Sequence, residues 1–147
     1  MFTQPSAPVC AVRPRSTRTT GAPLLMIAAG QDDYTGTENT LRFARELSAG
    51  DAQVRLHVLE GAHHAWETQG TAGFYALAQN FLNCHFLIED DGAWTDRLDG
   101  VRHQGSGIRR AVERRMGLGA HAGGGSPQLE AKTLALLEEF LRQERMV

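Results

Sequence analysis

Two short polar stretches hold residues that could act together as an acid and a base. GQDDYT contains Asp32 and Asp33, and EGAHHAWE contains His63 and His64. A carboxylate bound to one ring nitrogen of a histidine fixes the tautomer and stabilises the imidazolium, so that the other nitrogen can accept a proton. These residue types predict general acid–base chemistry, provided that the fold brings the two stretches together.

The segments around these stretches predict such a fold. PLLMIAAG, which begins at Pro23, is apolar on both faces of a strand, as is typical of a covered parallel sheet. Thr35 and Glu38 have the spacing of a helix cap, and an amphipathic helix follows as far as Gly50. QVRLHVLEG then alternates as a second strand. Strand, helix and strand in this order predict a βαβ unit with parallel strands at 23–67.

In a βαβ unit the carboxyl ends of both strands lie at the same edge of the sheet, where ligands bind in open α/β folds. Asp32 or Asp33 can therefore approach His63 or His64. Adjacent residues in a loop point in different directions, so we do not expect both histidines to serve one site.

At these residues the chain resembles a known family. GAPLLMIAAGQDDYT and VRLHVLEGAHHAWE are similar to the second half of the α/β-hydrolase superfamily, and most of all to the dienelactone hydrolase family. The resemblance covers about Gly21 to Glu67. It implies an α/β fold class, namely a partial α/β-hydrolase fold with C-terminal helices, and a hydrolase that acts on small ester or lactone substrates.

The resemblance also assigns roles to two residues. The family's acid corresponds to Asp32, and its histidine, which precedes a small residue and an aromatic one, corresponds to His64 before Ala65 and Trp66. His63 then fills a variable position. Asp33 could exchange roles with Asp32, and Trp66 could line a pocket or close the core beneath the loop.

The family's nucleophile has no counterpart among the 147 residues. It is read as G-x-S-x-G or G-x-C-x-G on a sharp turn upstream of the acid, and neither motif occurs. Ser106 and Cys10 lack the flanking glycines at the required spacing. We therefore expect that the nucleophile-bearing half is absent and that the chain alone is inactive or weakly active. The alternative is a non-catalytic half-domain that assembles as a homo-oligomer or with a complementing chain.

The rest of the chain is predicted mainly from periodicity and composition. Phe74, Leu77, Ala78, Phe81 and Leu82 recur at helical spacing. The predicted organisation is an extended arm or loop at 1–22, then the C-terminal half of a hydrolase domain at 23–147, with a helical region at 71–117, a glycine-rich linker at 118–126 and a final helix at 127–145. HFLIEDDGAWTDRLDG fits either a strand or a helix end.

Composition excludes several classes of partner. The formal net charge of −2 favours neither nucleic acid nor an anionic membrane. The longest apolar run is too short to cross a bilayer, and the amino-terminal residues carry no secretion signal, so we expect a cytoplasmic protein. Cys10 and Cys84 match no redox or metal motif and are expected to be free thiols.

The remaining ionisable residues suggest no cofactor. The six histidines show no spacing typical of a metal site, so no metal is expected. His57 lies within a strand and is expected at the surface or in an interface. A basic cluster could bind an anion but is more often a solvated helix face; it consists of Arg109, Arg110, Arg114 and Arg115.

Overall fold

The computed structural model of the protein describes residues 11–144. The first half of the predicted arm, including Cys10, and the predicted helix end at Arg145 lie outside this range. Within it, no helix is both long enough and apolar enough to cross a bilayer.

The described residues form a mixed α/β structure with three sheets. One sheet has the strand order β1-β5-β6-β7, and two further sheets pair β2 with β3 and β4 with β8. The elements are β1 (Ala11–Pro14), β2 (Leu24–Ala29), α1 (Thr37–Ala49), β3 (Val54–Leu59), β4 (Gly73–Asn80), β5 (His85–Ile88), β6 (Trp94–Asp96), β7 (Arg102–His103), α2 (Ser106–Arg115), β8 (Gly117–Ala122) and α3 (Pro127–Gln143).

The predicted βαβ unit is confirmed. β2 and β3 are parallel along their whole length, with Leu24 opposite Val54 and Ala29 opposite Leu59. The predicted helix cap is wrong, because α1 follows Gly36 without a side-chain cap and Thr35 hydrogen-bonds to Asp32 instead. The carboxyl ends of both strands lie at one rim, which we call the β2–β3 rim.

The predicted final helix is confirmed as α3. Ser126 caps it by accepting a hydrogen bond from the backbone N–H of Leu129 at 3.2 Å, and Pro127 occupies the first turn. Leu129 and Leu136 pack against a buried cluster that includes Leu59, which is fully buried. This packing holds the carboxyl end of β3 and the loop that follows it.

The predicted helical region at 71–117 is wrong except for α2. Its apolar run forms β4 as far as Asn80, where Leu77 is 87% exposed, and only Phe81, just beyond the strand, is buried among the apolar residues of the run. The amide of Asn80 donates to the carbonyl of Gly119 at 2.9 Å and ties β4 to β8. A short apolar run fits a strand as well as a helix, and the pairing with β8 decides between the two.

The predicted glycine-rich linker at 118–126 is also wrong, because Gly117–Ala122 is strand β8, antiparallel to β4. Its glycines permit close packing. A β-carbon at Gly117 would lie 2.7 Å from the Asn80 side chain, and one at Gly119 would lie 2.9 Å from the Phe74 ring. Glycine here indicates close approach of side chains to the strand rather than a flexible connection.

The predicted arm at 1–22 needs a correction at Ala11–Pro14. These residues form β1, which is parallel to β5 with Val12 opposite Phe86. Both side chains belong to a second buried cluster that includes Cys84. The segment whose sequence fits either a strand or a helix end is a hairpin, in which β5 and β6 are antiparallel.

Candidate active site

Asp32 lies directly beyond β2, in a loop that is held by its own side chain. Its Oδ1 accepts hydrogen bonds from the backbone N–H groups of Tyr34 at 2.9 Å and Thr35 at 2.8 Å. Its Oδ2 accepts from the Thr35 hydroxyl at 2.6 Å. Aspartate commonly organises turns in this way, and the result is a carboxylate with a defined direction.

Backbone hydrogen bonds join this loop to the loop after β3. The N–H of Gly30 donates to the carbonyl of Leu59 at 2.9 Å, and the N–H of Gln31 donates to the carbonyl of Ala62 at 2.8 Å. The parallel pairing thus continues past the strands, and both loops leave the β2–β3 rim side by side.

His64 is placed against Asp32 by this arrangement. Its Nδ1 lies 3.2 Å from Oδ2 of Asp32, and the Tyr34 ring stacks on the imidazole with centroids 4.4 Å apart. The carbonyl of His64 accepts from the backbone N–H of Gly123 at 2.8 Å, which anchors the loop to the end of β8. With Nδ1–H donated to the carboxylate, Nε2 keeps a lone pair that can accept a proton.

The electrostatics suit an ionised acid beside a basic histidine. Burial raises the pKa of Asp32, but hydrogen bonds from His64 and Thr35 outweigh burial and lower that pKa to about 2. The hydrogen bond with Asp32 raises the pKa of His64 against the opposing effect of burial. The Asp32 side chain is 12% exposed and that of His64 is 31% exposed, so solvent reaches the histidine more readily.

The neighbouring aspartate turns towards a different histidine. Asp33 accepts a hydrogen bond from the backbone N–H of His121 at 2.7 Å, and its Oδ2 lies 2.7 Å from Nδ1 of the same residue. Burial raises the pKa of Asp33, and the hydrogen bonds from His121 lower it further than burial raises it. Asp32 and Asp33 therefore do not share His64.

His121 is a residue of this rim that the sequence patterns do not predict. It lies in β8, within the segment whose composition predicts a linker, and its ring stacks on that of His63 with centroids 5.1 Å apart. Nδ1 of His63 lies 3.2 Å from the carbonyl oxygen of Gln31. The only sequence signal for this contact is a single histidine in a glycine-rich run, far from Asp33 along the chain.

Ser106 and Trp66 both make structural contacts within the fold. The hydroxyl of Ser106 lies at the start of α2, 3.5 Å from the Arg110 guanidinium. Trp66 packs with Leu129 and donates from Nε1 to the Thr133 hydroxyl at 3.3 Å. Trp66 therefore closes the core beneath the loop, the second of its two predicted roles.

The basic cluster does not act as one surface. Arg115 forms ion pairs with the buried Asp96 and with Asp99, each at 2.6 Å. Arg109 pairs with Glu113 one turn along α2 at 2.7 Å. Two of the four arginines are thus neutralised within the fold, which weakens the case for an anion site.

A cavity of about 310 Å³ lies away from the β2–β3 rim. It is lined by Arg15, Glu46, Leu87 and Arg97 among others, and by none of the rim's aspartates and histidines. The candidate acid–base residues are therefore separate from this cavity. His57 is exposed on β3, as its position in the strand predicts.

Comparisons of the chain with known protein families, with curated proteins and with solved structures found no match. Function is therefore inferred from the geometry of the rim.

Proposed function

We propose that this chain supplies the acid and the histidine of a nucleophile–His–Asp triad in a dienelactone-hydrolase-like hydrolase acting on small ester or lactone substrates. The observation that carries the proposal is the contact between Asp32 and His64 at the carboxyl ends of two adjacent parallel strands. That position corresponds to the place where open α/β folds bind their ligands.

The proposed chemistry divides between the two residues. Nε2 of His64 takes the proton from the attacking hydroxyl, thiol or water, and later returns it to the leaving alkoxide. Asp32 holds the ring in the required tautomer and stabilises the imidazolium. With no nucleophile motif among the 147 residues, water is the attacking group that the chain alone can use, so slow hydrolysis is expected.

Hydrolysis of a short-chain aryl ester tests this role. His64→Ala should lower the rate constant by about a hundredfold, near the lower end of what a positioned general base contributes. Asp32→Asn should lower it less, because the base is kept and only its orientation and charge partner are weakened. His57→Ala is the matched control, since that histidine is exposed on β3, and its rate should equal that of the wild type.

A rate unchanged by His64→Ala would remove the proposed role. Nitrogen-15 NMR of the imidazoles gives a second readout that does not need turnover. In the wild type the imidazole of His64 should be the Nδ1–H tautomer, and in Asp32→Asn it should be a mixture of the two tautomers. A dominant Nε2–H tautomer of His64 in the wild type would contradict the assignment even where hydrolysis is too slow to measure.

A second candidate function is assembly through the two-stranded antiparallel sheet formed by β4 and β8, which we call the β4–β8 sheet. Its strands carry no Asp, Glu, Lys or Arg. Leu77 and Leu118 on it are 87% and 68% exposed. Exposed sheet edges in native proteins usually carry charged side chains that discourage pairing with another chain. β4 and β8 carry none, so a second copy of the chain can approach this uncharged apolar surface without repulsion. We propose homo-oligomerisation as the alternative to catalysis.

A further inference from the structure

Three potential metal ligands from distant segments meet beside the acid–base pair. Asp33 follows β2, His63 follows β3 and His121 lies in β8. Each offers one donor atom, and these atoms lie within 4.8 Å of one another. We propose that Asp33, His63 and His121 bind a divalent transition metal ion, with Zn²⁺ as the best match. This site goes beyond the proposed hydrolase chemistry, because it uses neither Asp32 nor His64.

The hydrogen bonds of His63 prepare it to bind a metal. Its Nδ1 lies 3.2 Å from the carbonyl oxygen of Gln31, which can only accept a hydrogen bond. The proton therefore belongs on Nδ1, and Nε2 carries the lone pair. Metal-bound histidines commonly donate their other N–H to a carbonyl or carboxylate, which orients the ring and strengthens the ligand.

The contact between His121 and Asp33 fits the same chemistry. Nδ1 of His121 and Oδ2 of Asp33 lie 2.7 Å apart, and the backbone N–H of His121 holds the other carboxylate oxygen at 2.7 Å. The carboxylate is thus oriented towards the histidine before any ion binds. In the proposed site Asp33 binds the ion through a carboxylate oxygen, in place of its hydrogen bond with Nδ1 of His121.

The ligand set identifies the class of ion. Two imidazoles and one carboxylate favour Zn²⁺ and other transition metals over Mg²⁺ and Ca²⁺, which prefer all-oxygen sites. Zinc with three protein ligands normally leaves a fourth position for water or substrate. Tetrahedral bonds of about 2.0–2.1 Å place the donors about 3.4 Å apart, so the three side chains must shift as they surround the ion. The side chains of Asp33 and His121 are each 40% exposed, which leaves room for this movement and a path for entry.

The position of the ligands also separates this site from the acid–base pair. Adjacent residues on each loop turn in opposite directions, so that Asp32 meets His64 while Asp33 meets His121. An ion held by Asp33, His63 and His121 would leave the hydrogen bond between Asp32 and His64 in place. The two sites can therefore be tested independently.

Binding of Zn²⁺ and Co²⁺ to the untagged full chain tests the proposal. Calorimetry with Zn²⁺ should show one ion per chain, and Co²⁺ should give the visible absorption of a tetrahedral nitrogen and oxygen site. His63→Ala, His121→Ala and Asp33→Asn should each weaken binding by more than about tenfold, since even outer-shell changes cost roughly 10–100-fold. His57→Ala is the matched control and should bind as the wild type does.

Three results would overturn the proposal: absence of stoichiometric binding to the wild type, equal loss in His57→Ala, or loss in His64→Ala with retention in His63→Ala. Circular dichroism of each variant without metal checks the fold. Asp33→Asn keeps the size of the side chain and one acceptor oxygen, so it remains informative where His121→Ala fails to fold. Zinc should also raise the melting temperature of the wild type and of His57→Ala, and should raise that of Asp33→Asn less at the same zinc concentration.

Discussion

Asp32 combines a structural task with its proposed chemical one. One oxygen, Oδ1, accepts the two backbone N–H groups of Tyr34 and Thr35, and the other oxygen faces His64. The first task fixes where the loop turns, and the second fixes the tautomer of the imidazole. A substitution that removes both oxygens therefore affects stability as well as chemistry, whereas one that keeps an oxygen at the Oδ1 position affects mainly the chemistry.

Substitution of Asp32 should separate these two tasks. Asp32→Ala leaves the N–H groups of Tyr34 and Thr35 without their acceptor, and we expect a loss of about 1–3 kcal/mol in the free energy of unfolding. Asp32→Asn keeps an oxygen for both and should lose clearly less. Urea denaturation followed by circular dichroism measures the difference. Equal losses in the two variants would show that Oδ1 does not hold the loop.

The βαβ pattern is sufficient to predict that Asp32 or Asp33 approaches His63 or His64, and the family resemblance then selects Asp32 and His64. The sequence is not sufficient for His121. That residue reaches Asp33 only because β8 pairs with β4 and ends against the loop after β3, where Gly123 donates to the carbonyl of His64. Contacts between segments so distant along the chain leave no local periodicity.

Glycines in this chain have different consequences in different elements. A β-carbon added at Gly107, in α2, would meet no atom within 4 Å. At Gly125, just before α3, the same atom would lie 2.2 Å from the carbonyl oxygen of Trp66 and 2.7 Å from that of Thr68. One site has unused space, whereas the other brings two backbone segments into direct contact.

Alanine substitutions at these two glycines should therefore have opposite signs. Gly107→Ala should raise the free energy of unfolding by about 0.5 kcal/mol, because glycine loses more backbone freedom in a helix. Gly125→Ala should lower it by about 1–3 kcal/mol through overpacking. Thermal and urea denaturation of both variants gives the comparison. A neutral Gly125→Ala would show that the loop from Trp66 to Thr68 can move away at no cost.

At the level of elements, prediction succeeds where a signal is local and fails where it is not. α1, α3 and the strands β2 and β3 carry periodicity, caps or terminating glycines within their own residues. The apolar residues of β4 also fit helical spacing, and only its partner β8 selects the strand. The glycines of β8 permit close packing, but in the sequence they resemble those of a flexible linker, so the strand is not predicted.

At the scale of the whole molecule, Tyr34 links the candidate site to the core. Its side chain packs against the buried cluster that includes Phe86, and its ring meets the Phe81 ring edge-on at 5.3 Å. The same ring stacks on the imidazole of His64, with the ring centroids 4.4 Å apart. His64 lies two residues after Ala62, which belongs to the other buried cluster. The geometry of the rim therefore depends on both parts of the core.

The exposed β4–β8 sheet leads to a prediction about the oligomeric state. If a second copy covers this surface, light scattering coupled to size exclusion should give twice the mass of one chain. Leu77→Lys places a charge on the surface and should yield the monomer. Leu98→Lys is the matched control, because Leu98 is 54% exposed but lies outside the β4–β8 sheet. A wild-type monomer at every concentration would rule out this assembly.

The tandem of Asp32 and Asp33 has a consequence for how this loop can vary. Deleting or inserting one residue between the end of β2 and Asp32 would move one carboxylate into the other's position and the second out of both positions, so that neither histidine would keep its own partner. Point substitutions can alter either partnership separately, but a change of length cannot. Homologous chains that keep both pairs should therefore share one loop length here, even where the surrounding residues have diverged.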